Sequence, residues 1–307
     1  MREESENVLV VDGGNLLTSA GIVPENGRES IERNAGAIIE SQKTMGIDAG
    51  NVGYKDAAMG IKYLEKTAAG GYPWVSANLR TKAGKLTKIP PYRIVKVGQI
   101  NVGIFGLLDE KIISNIRNSK QIDYSVADPV RAAEVTIKEL KKKDVDIIVL
   151  LSGLIFVRSK ELLQNVEGIN LLVNGGDSRM LKIPERVGKS LLFGMIGRGK
   201  YLGVAHLGIA MDNLDFQVEG ENVDIQGRLR LIAAQKRVYE GEIATLPEVK
   251  EKINELQARE KELKSRLSTA DRPASVVRNQ LVPLDRNIPG KKSINDILQK
   301  AKNKSRK

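Results

Sequence analysis

Apolar and polar positions repeat along the chain with the two periods expected of strands and helices. Continuous apolar runs that end in glycine predict buried strands over 7–14, 145–154 and 169–176. Apolar positions three and four residues apart predict helices over 29–46, 56–71, 128–144 and 159–166. Shorter alternating runs predict a strand over 73–79, a β-hairpin over 92–108 and two strands of a meander within 189–212.

The order of these elements predicts the fold class. Strands alternate with helices up to about residue 180, and strands then follow one another. This order is typical of a mixed sheet layered with helices, an α/β sandwich. The strand-to-glycine junctions lie at 12–15, 151–154 and 173–178. We expect them at the carboxyl ends of strands, where open α/β sheets place their ligand sites.

The pattern changes after about residue 225. A helix is predicted over 227–241. After it, apolar positions spaced by four and three residues predict a coiled-coil stripe formed by Val249, Ile253, Leu256, Leu263 and Leu267. Glu260 occupies the remaining position of the stripe. Two interpretations stay open: association with a partner or a second copy through 245–267, or a hairpin packed on its own domain. The predicted domains are 1–224, a helical hairpin over 225–270, and an extended segment with a basic helix and tail over 271–307.

Charge separates the same end of the chain from the rest. The net charge is +11, and residues 225–307 hold 20 Lys and Arg against 10 Asp and Glu, so that about +10 lies there. A basic segment of this kind binds an anionic partner, such as nucleic acid or an anionic surface, or is a solvated tail. The absence of aromatic residues from 240–307 favours the tail.

Composition excludes several kinds of chemistry. The chain has no cysteine, which excludes disulfides, thiolate metal sites and thiol nucleophiles. Its single histidine, His206, lies in an alternating run and is predicted to be a strand residue, so transition-metal chemistry is disfavoured. No apolar run approaches the roughly 20 residues that span a bilayer, and the first residues, MREESENVLVV, do not form a secretory signal.

The order of motifs resembles the calcineurin-like metallophosphoesterases, in particular the bacterial 5′-nucleotidase family. VLVVDGGNLL is similar to that family's strand that delivers a bridging aspartate, and MGIDAGNVGYKDAAMG to its Gly-Asn-His-Glu segment. Further segments follow in the family's order: PWVSANL, PPYRIVKVGQINVGIFGLL, DPVRAAEVTIKELKKKDVDIIVLLSGL, VEGINLLVNGGDS and GRGKYLG. The resemblance covers roughly residues 7–212. It implies a layered α/β/β/α sandwich of the metallophosphoesterase type, here with a C-terminal helical, coiled-coil-like extension.

The resemblance also implies where two metal ions would be held. The family's bridging aspartate falls on Asn15, and its asparagine and catalytic histidine fall on Tyr54 and Lys55. The histidines after the later strands fall on Gly153, Gly176 and Ser178. Glycine has no side-chain ligand and lysine repels a cation, so we expect no dinuclear centre, no catalytic residues of the family type, no metal and no cofactor.

Several residues near the inferred site keep polar side chains: Asp12, Asp56, Asn78, Asp177 and Arg198. One interpretation is a residual ligand site, such as the carboxylates holding a hard cation. The alternative is that the carboxylates cap turns and helices. Lys55, Arg179 and Arg198 would form a basic cleft or be ordinary surface cations. Tyr72, Trp74 and Tyr92 would stack on a base or pack under a loop.

The resulting expectation is a degenerate, non-catalytic member of this group that acts as a binding or scaffold subunit. The segment LVPLDRNIPG resembles one that joins phosphoesterase domains to haem-binding modules, which implies an exported, extracytoplasmic assembly and processing or trimming ahead of residue 1. The competing hypothesis is a metal-dependent phosphohydrolase with a rebuilt or partner-completed site.

Overall fold

The computed structural model describes residues 5, 7–114, 122–195, 199–239, 246–267, 275–285 and 288–303. The chain forms two compact units. The first unit contains Met1–Leu181, Glu185–Leu202 and Val282–Lys307, and the second contains Lys182–Pro184 and Gly203–Leu281. The predicted site positions all lie in the first unit.

Two sheets face each other in the first unit. Three parallel strands form one sheet in the order β1-β2-β3: β1 Val11–Asp12, β2 Ala49–Asn51 and β3 Trp74–Val75. Six strands form the other sheet in the order β10-β11-β9-β8-β6-β5: β5 Tyr92–Val97, β6 Ile100–Leu107, β8 Ile147–Ser152, β9 Leu171–Asn174, β10 Glu185–Val187 and β11 Ser190–Gly194. Its edge strands β5 and β10 are antiparallel to their neighbours. A small antiparallel pair accompanies them, β4 Leu79–Thr81 and β7 Tyr124–Val126.

Helices cover the outer faces of both sheets. The helices of this unit are α1 Arg28–Met45, α2 Tyr54–Ala57, α3 Ile61–Ala69, α4 Glu110–Ser114, α5 Pro129–Lys141, α6 Phe156–Asn165 and α9 Lys292–Asn303. One core cluster lies between the three-stranded sheet and α1 and α3, with Leu64, Trp74 and Ile39 in it. A second cluster lies between the six-stranded sheet and α5 and α6. The predicted α/β/β/α sandwich is therefore confirmed.

Local sequence signals explain how α5 begins. Asp128 precedes the helix and its Oδ1 accepts a hydrogen bond from the backbone N–H of Arg131 at 2.7 Å, while Pro129 occupies the first helical position. Proline at this position loses no intrahelical bond, and the aspartate satisfies one of the free N–H groups of the first turn. Helical spacing then buries Ala133, Ile137 and Leu140 against the six-stranded sheet. The cap predicted from the sequence is confirmed.

The second unit contains a helical hairpin and a three-stranded sheet. Helix α7 covers Glu221–Val238 and α8 covers Pro247–Leu267. The sheet has the order β12-β14-β13, with β12 Tyr201–Gly208, β13 Gln217–Val218 and β14 Val276–Pro283. Ile225 and Ile232 of α7 pack against Leu256 and Leu263 of α8. Three residues of the heptad stripe, Leu256, Leu263 and Leu267, therefore lie in the hairpin interface.

Three predictions about local structure are wrong. The single helix expected over 56–71 is two helices, because Gly60 has φ 87° and separates them. The strand expected over 73–79 is β3 and β4, with polar residues between them. The meander within 189–212 does not form, since β11 pairs with β9 and β10 whereas β12 belongs to the sheet of the second unit. The meander prediction is wrong because apolar alternation marks a strand but does not specify which strand it pairs with.

The basic helix α9 forms as predicted and contacts α1 in the first unit. None of its residues is fully buried. No helix among the described residues combines the length and apolar character required to cross a bilayer.

Removing the cap of α5 tests its contribution. We expect Asp128→Ala to lower the free energy of unfolding by about 1 kcal/mol, since the N–H of Arg131 loses its acceptor. The measurement is the urea midpoint followed by fluorescence of Trp74, the only tryptophan, which is buried in this unit. The control is Glu134→Ala, an exposed position on the same helix, for which we expect a change within about 0.5 kcal/mol. If Asp128→Ala and Glu134→Ala lowered the free energy of unfolding equally, Asp128 would not be acting as the N-cap of α5.

Candidate functional site

The candidate site lies where strands of the two sheets end. Strand β1 ends at Asp12, β2 at Asn51, β8 at Ser152 and β9 at Asn174. Glycine follows each of these ends within two residues, at Gly13, Gly53, Gly153 and Gly175. The carboxyl ends of parallel strands meet along one edge of a sheet, which brings these segments together.

The positions mapped from the family resemblance meet at this edge. Asn15 has a left-handed backbone, with φ 67°, which asparagine tolerates better than most residues. Its Nδ2 donates to the carbonyl oxygen of Gly175 at 2.8 Å, and its Oδ1 accepts from the N–H of Lys55 at 3.0 Å. Gly176 in turn lies against the backbone of Gly153 and Leu154. Asn15, Lys55, Gly153 and Gly176 therefore form one cluster.

Backbone contacts close the space between the strand ends. A Cβ placed on Gly176 would lie 2.0 Å from the carbonyl oxygen of Leu154, and one on Gly175 would lie 2.3 Å from that of Gly13. A Cβ on Gly153 would lie 2.7 Å from the carbonyl oxygen of Leu107. These separations are shorter than van der Waals contact, so none of the three positions accepts a side chain without a shift of the backbone.

Asp56 ties the loop after β1 to α2. Its two carboxylate oxygens accept hydrogen bonds from four backbone N–H groups, those of Asn15 at 2.6 Å, Leu16 and Leu17 at 2.8 Å each, and Gly53 at 2.9 Å. Burial raises the pKa of Asp56 to about 6, and the nearby charge of Asp12 adds to that effect while the N–H groups oppose it. All four donors are satisfied inside the protein, so Asp56 acts as an anchor of the loop.

Asp12 belongs to a second polar network. Its Oδ1 accepts from the N–H of Gly14 at 2.8 Å, and its Oδ2 accepts from Nε2 of Gln42 at 3.3 Å. The Tyr72 hydroxyl donates to Oε1 of the same glutamine. Loss of solvent around the carboxylate raises the pKa of Asp12, although its hydrogen bonds act in the opposite direction.

Two buried asparagines hold neighbouring strand ends together. Asn78 Nδ2 donates to the carbonyls of Leu108 at 2.8 Å and Ala127 at 3.1 Å, and its Oδ1 accepts from the N–H of Leu108 at 2.9 Å. Asn51 Nδ2 donates to the carbonyls of Gly13 at 3.2 Å and Leu107 at 3.1 Å, and so joins the two sheets. Sequence reasoning had singled out Asn78 as a ligand candidate but missed Asn51. The signal for Asn51 was its place as the only polar side chain of β2.

The other predicted residues that the structure describes have contacts of their own. Asp177 Oδ1 accepts from the N–H of Phe156 at 3.1 Å, which is a capping contact at the start of α6. The Arg179 guanidinium lies over the Phe156 ring, 4.3 Å from its centroid. Lys55 Nζ lies 5.7 Å from the centroid of the Tyr54 ring. Ser178 is exposed, and Arg198 lies outside the described residues.

An ion pair network at the end of β6 was missed by sequence reasoning. The Arg158 guanidinium contacts Asp109, and its Nη2 lies 2.6 Å from Oε1 of Glu110. Asp109 is buried, with 1% of its side chain exposed, and a buried carboxylate of this kind requires a cationic partner. No sequence pattern links Arg158 to carboxylates 48 and 49 residues away.

The three aromatic residues do not lie together as a stacking platform. Tyr72 and Trp74 are buried beneath α1 and α3, with ring centroids 4.4 Å apart. Tyr92 packs on the other core cluster, beside α5. The alternative interpretation, that Tyr72 and Trp74 are hydrophobic packing, accounts for both residues.

The side chains at the strand ends do not fit a dinuclear metal centre. Within the part of the chain that the structure describes, no three side chains of the His, Cys, Asp or Glu type come close enough together to hold a metal ion. Both amide atoms of Asn15 bond to the protein, and Asp56 already accepts four backbone N–H groups. Gly153 and Gly176 offer no side chain, and Lys55 is a cation.

Comparison with curated proteins shows phosphoesterases as homologues. The chain is 24% identical over 273 residues to the trifunctional nucleotide phosphoesterase protein YfkN of Bacillus subtilis, covering 76% of this chain and 18% of the relative. It is 28% identical over 195 residues to a probable 5′-nucleotidase of Treponema pallidum, covering 62% of this chain and 31% of the relative. This chain therefore spans less than a third of the length of either relative. No family model matches it.

Comparison with solved structures shows the same fold. The crystal structure of calcineurin-like phosphoesterase YfkN from Bacillus subtilis matches 99% of this chain and 85% of that one, with a TM-score of 0.61 and 16% identity. The layered sandwich is thus the fold of calcineurin-like phosphoesterases. Together with the homologues, it confirms the resemblance predicted from the motif order.

Alanine at the strand-end glycines tests the closed packing. We expect Gly176→Ala to lower the free energy of unfolding by at least about 3 kcal/mol, because the added Cβ collides with the carbonyl of Leu154. The matched control is Gly36→Ala in α1, where a Cβ meets nothing within 4 Å. Alanine there removes a helix-interior glycine, so we expect a gain of up to about 1 kcal/mol. Urea unfolding followed by Trp74 fluorescence measures both. If Gly176→Ala left the free energy of unfolding unchanged, the strand ends would be open rather than closely packed.

Titration of Asp56 gives a pH test with a defined sign. Its folded-state pKa of about 6 exceeds its ordinary value of 3.8, so the folded protein keeps a proton that the unfolded chain releases. The stability that this group contributes is complete below about pH 4 and is lost as the pH rises through about 6. Asp56→Asn removes this titration and turns an amide NH₂ toward backbone donors, which we expect to cost at least about 2 kcal/mol.

The difference in urea midpoint between the unmodified protein and Asp56→Asn should therefore narrow from about pH 4 to about pH 7. Titrating groups that do not interact with Asp56 are present in both proteins and cancel, so the change in this difference reports Asp56 together with its charge interaction with Asp12. A difference that widens over the same range would show that the four N–H bonds outweigh burial and that the folded-state pKa is lowered.

Proposed function

We propose that this chain, a homologue of the 5′-nucleotidase-type calcineurin-like phosphoesterases with the same fold, is a non-catalytic binding or scaffold protein. The observation that supports the proposal is the contact between backbones at the strand ends. Where hydrolysis would require two divalent metals, Gly13 packs on Gly175 and Gly176 packs on Leu154. A metal-activated water and a clamped phosphate both need an open space lined by ligands.

The charge of the region supports the same proposal. A pair of divalent cations requires several anionic or neutral donors that are not already bonded. The aspartates around the cluster are already bonded: Asp56 to backbone N–H groups, Asp12 to Gly14 and Gln42, and Asp177 to the N–H of Phe156. Lys55, whose backbone N–H bonds to Asn15, brings a cation to the same segment, with its Nζ 5.7 Å from the centroid of the Tyr54 ring. Phosphate ester hydrolysis through a family-type centre is therefore disfavoured at this site.

Binding through surfaces away from the strand ends is part of the proposal. Leu256, Leu263 and Leu267 of the heptad stripe pack against α7, so association through these residues requires the hairpin to open. The basic C-terminal residues remain a surface for an anionic partner, since α9 carries Lys292, Lys300 and Lys302 and has no buried residue. A scaffold keeps the fold as a rigid support and places recognition on such surfaces.

The second candidate function is a phosphohydrolase whose site is rebuilt or completed by a partner. Conservation of the fold over 99% of the chain favours it, because the same sandwich carries phosphoesterases among the structural matches. It requires the strand ends to move apart, since the glycine contacts leave no space for ligands from a second chain.

Metal content and turnover separate the two functions. We expect purified protein to hold far less than one equivalent of metal after exposure to Mn²⁺ and to hydrolyse neither nucleotides nor an activated phosphodiester above background. Elemental analysis and a chromogenic assay provide the measurements. Asp12→Ala is the control, because any remaining family-type activity would depend on that carboxylate. Stoichiometric metal together with turnover that Asp12→Ala abolishes would establish the hydrolase.

A further inference from the structure

A cavity of about 480 Å³ lies between α5, β4 and the start of β5. Its wall is mainly apolar and includes Ala77, Leu86, Pro91, Tyr92, Ala132 and Val135. Small-molecule sites have volumes of about 300–1,000 Å³ and walls of this kind, with a few polar groups that fix the ligand. None of Asn15, Lys55, Gly153 and Gly176 lines the cavity, so it is not part of the strand-end cluster.

Four charged side chains also line the cavity, and its two carboxylates already have partners within the chain. Asp128 Oδ1 accepts the N–H of Arg131 at 2.7 Å as the cap of α5, and Oε1 of Glu139 lies 3.2 Å from Nζ of Lys142. The two cations are Arg80 and Arg131. Within the described residues, neither guanidinium forms an ion pair with a carboxylate. The charges left for a ligand are therefore positive.

Backbone carbonyls orient the guanidinium of Arg80. Its Nη1 donates to the carbonyl oxygens of Ala77 at 3.0 Å and Leu79 at 2.9 Å, which uses both hydrogens of that nitrogen. Nε and Nη2 share the other edge of the group and have no acceptor among the residues that the structure describes. Two parallel N–H donors on one edge match the oxygens of a carboxylate or a phosphate.

Arg158 shows what a partly buried guanidinium has elsewhere in the same unit. It contacts two carboxylates, those of Asp109 and Glu110. Arg80 is also partly buried, and loss of solvent lowers its pKa with no carboxylate opposing that effect. A desolvated cation without a counter-charge is costly. An anion in the cavity would therefore supply to Arg80 what the chain itself supplies to Arg158.

We propose that this cavity binds a small organic anion, a carboxylate or a phosphate monoester carried on an apolar body. The Nε/Nη2 edge of Arg80 holds the head group, and Arg131 adds the second positive charge. The apolar body lies against Tyr92, Leu86 and Val135, all of which line the cavity. This proposal goes beyond the scaffold function and does not depend on whether the strand-end site is catalytic.

Three probes of nearly the same shape test the chemistry of the ligand: 2-naphthoate, 2-naphthyl phosphate and the neutral 2-naphthamide. We expect at least one anion to bind with a dissociation constant of about 0.1–1 mM in isothermal titration calorimetry at low salt. The amide should bind at least several-fold more weakly, because it carries no charge for the two arginines. If both anions bind, the tighter one identifies the natural head group.

Variants of the full chain locate the binding site. Arg131→Gln should weaken binding of the anion several-fold, whereas Lys138→Gln, which removes the same charge from an exposed position of α5 outside the cavity, should leave it unchanged. Val135→Trp places a large ring in the cavity at a residue with 57% exposure and should weaken binding several-fold. Arg80→Lys keeps the charge without the two-donor edge and should also weaken it at least several-fold.

Arg131→Gln and Val135→Trp change exposed residues, so the test does not depend on whether the fold tolerates Arg80→Lys; circular dichroism verifies each variant. A hydrolase at the strand ends would consume the naphthyl phosphate but not the naphthoate, and neither of these two variants would affect that turnover. No binding of either anion, equal affinity for the anions and the amide, or indifference of binding to both Arg131→Gln and Val135→Trp would overturn the proposal.

Discussion

The contact between Gly13 and Gly175 determines what the rest of the site can be. A Cβ on Gly175 would lie 2.3 Å from the carbonyl oxygen of Gly13, so the two backbones meet with no side chain between them. The first belongs to the loop after β1 in the smaller sheet and the second follows β9 in the larger sheet. This contact brings the carboxyl ends of the two sheets together, and the amides of Asn15 and Asn51 bridge the same gap.

Closure of the strand ends changes the role of each polar residue that remains. Asp56 is surrounded by four backbone N–H donors and acts as a support for the loop that carries Asn15. Asp109 is paired with Arg158, and Asp177 accepts a hydrogen bond at the start of α6. These three carboxylates are thus used for internal hydrogen bonds and ion pairs.

The sequence predicted the features that depend on neighbouring residues and on motif order. Asp128 and Pro129 specify the start of α5 locally, and the spacing of Leu256 and Leu263 specifies which face of α8 is buried. The mapped positions Asn15, Lys55, Gly153 and Gly176 meet because the motif order carries the topology. Three of the four donors to Asp56, and the partner of Asp109, were not predictable, since they come from segments about 40 to 50 residues away with no periodic signal. The meander prediction was wrong for the same reason, because β12 pairs with the distant strand β14 and not with β11.

The most direct measurement is a crystal structure of the protein soaked with Mn²⁺ and phosphate, with anomalous scattering recorded for manganese. Closed strand ends predict no anomalous peak between Asp12, Asn15 and Gly176, with Gly13 and Gly175 still in contact. Two manganese peaks at the strand ends, accompanied by separation of the two glycines, would contradict the closed site and support the phosphohydrolase hypothesis.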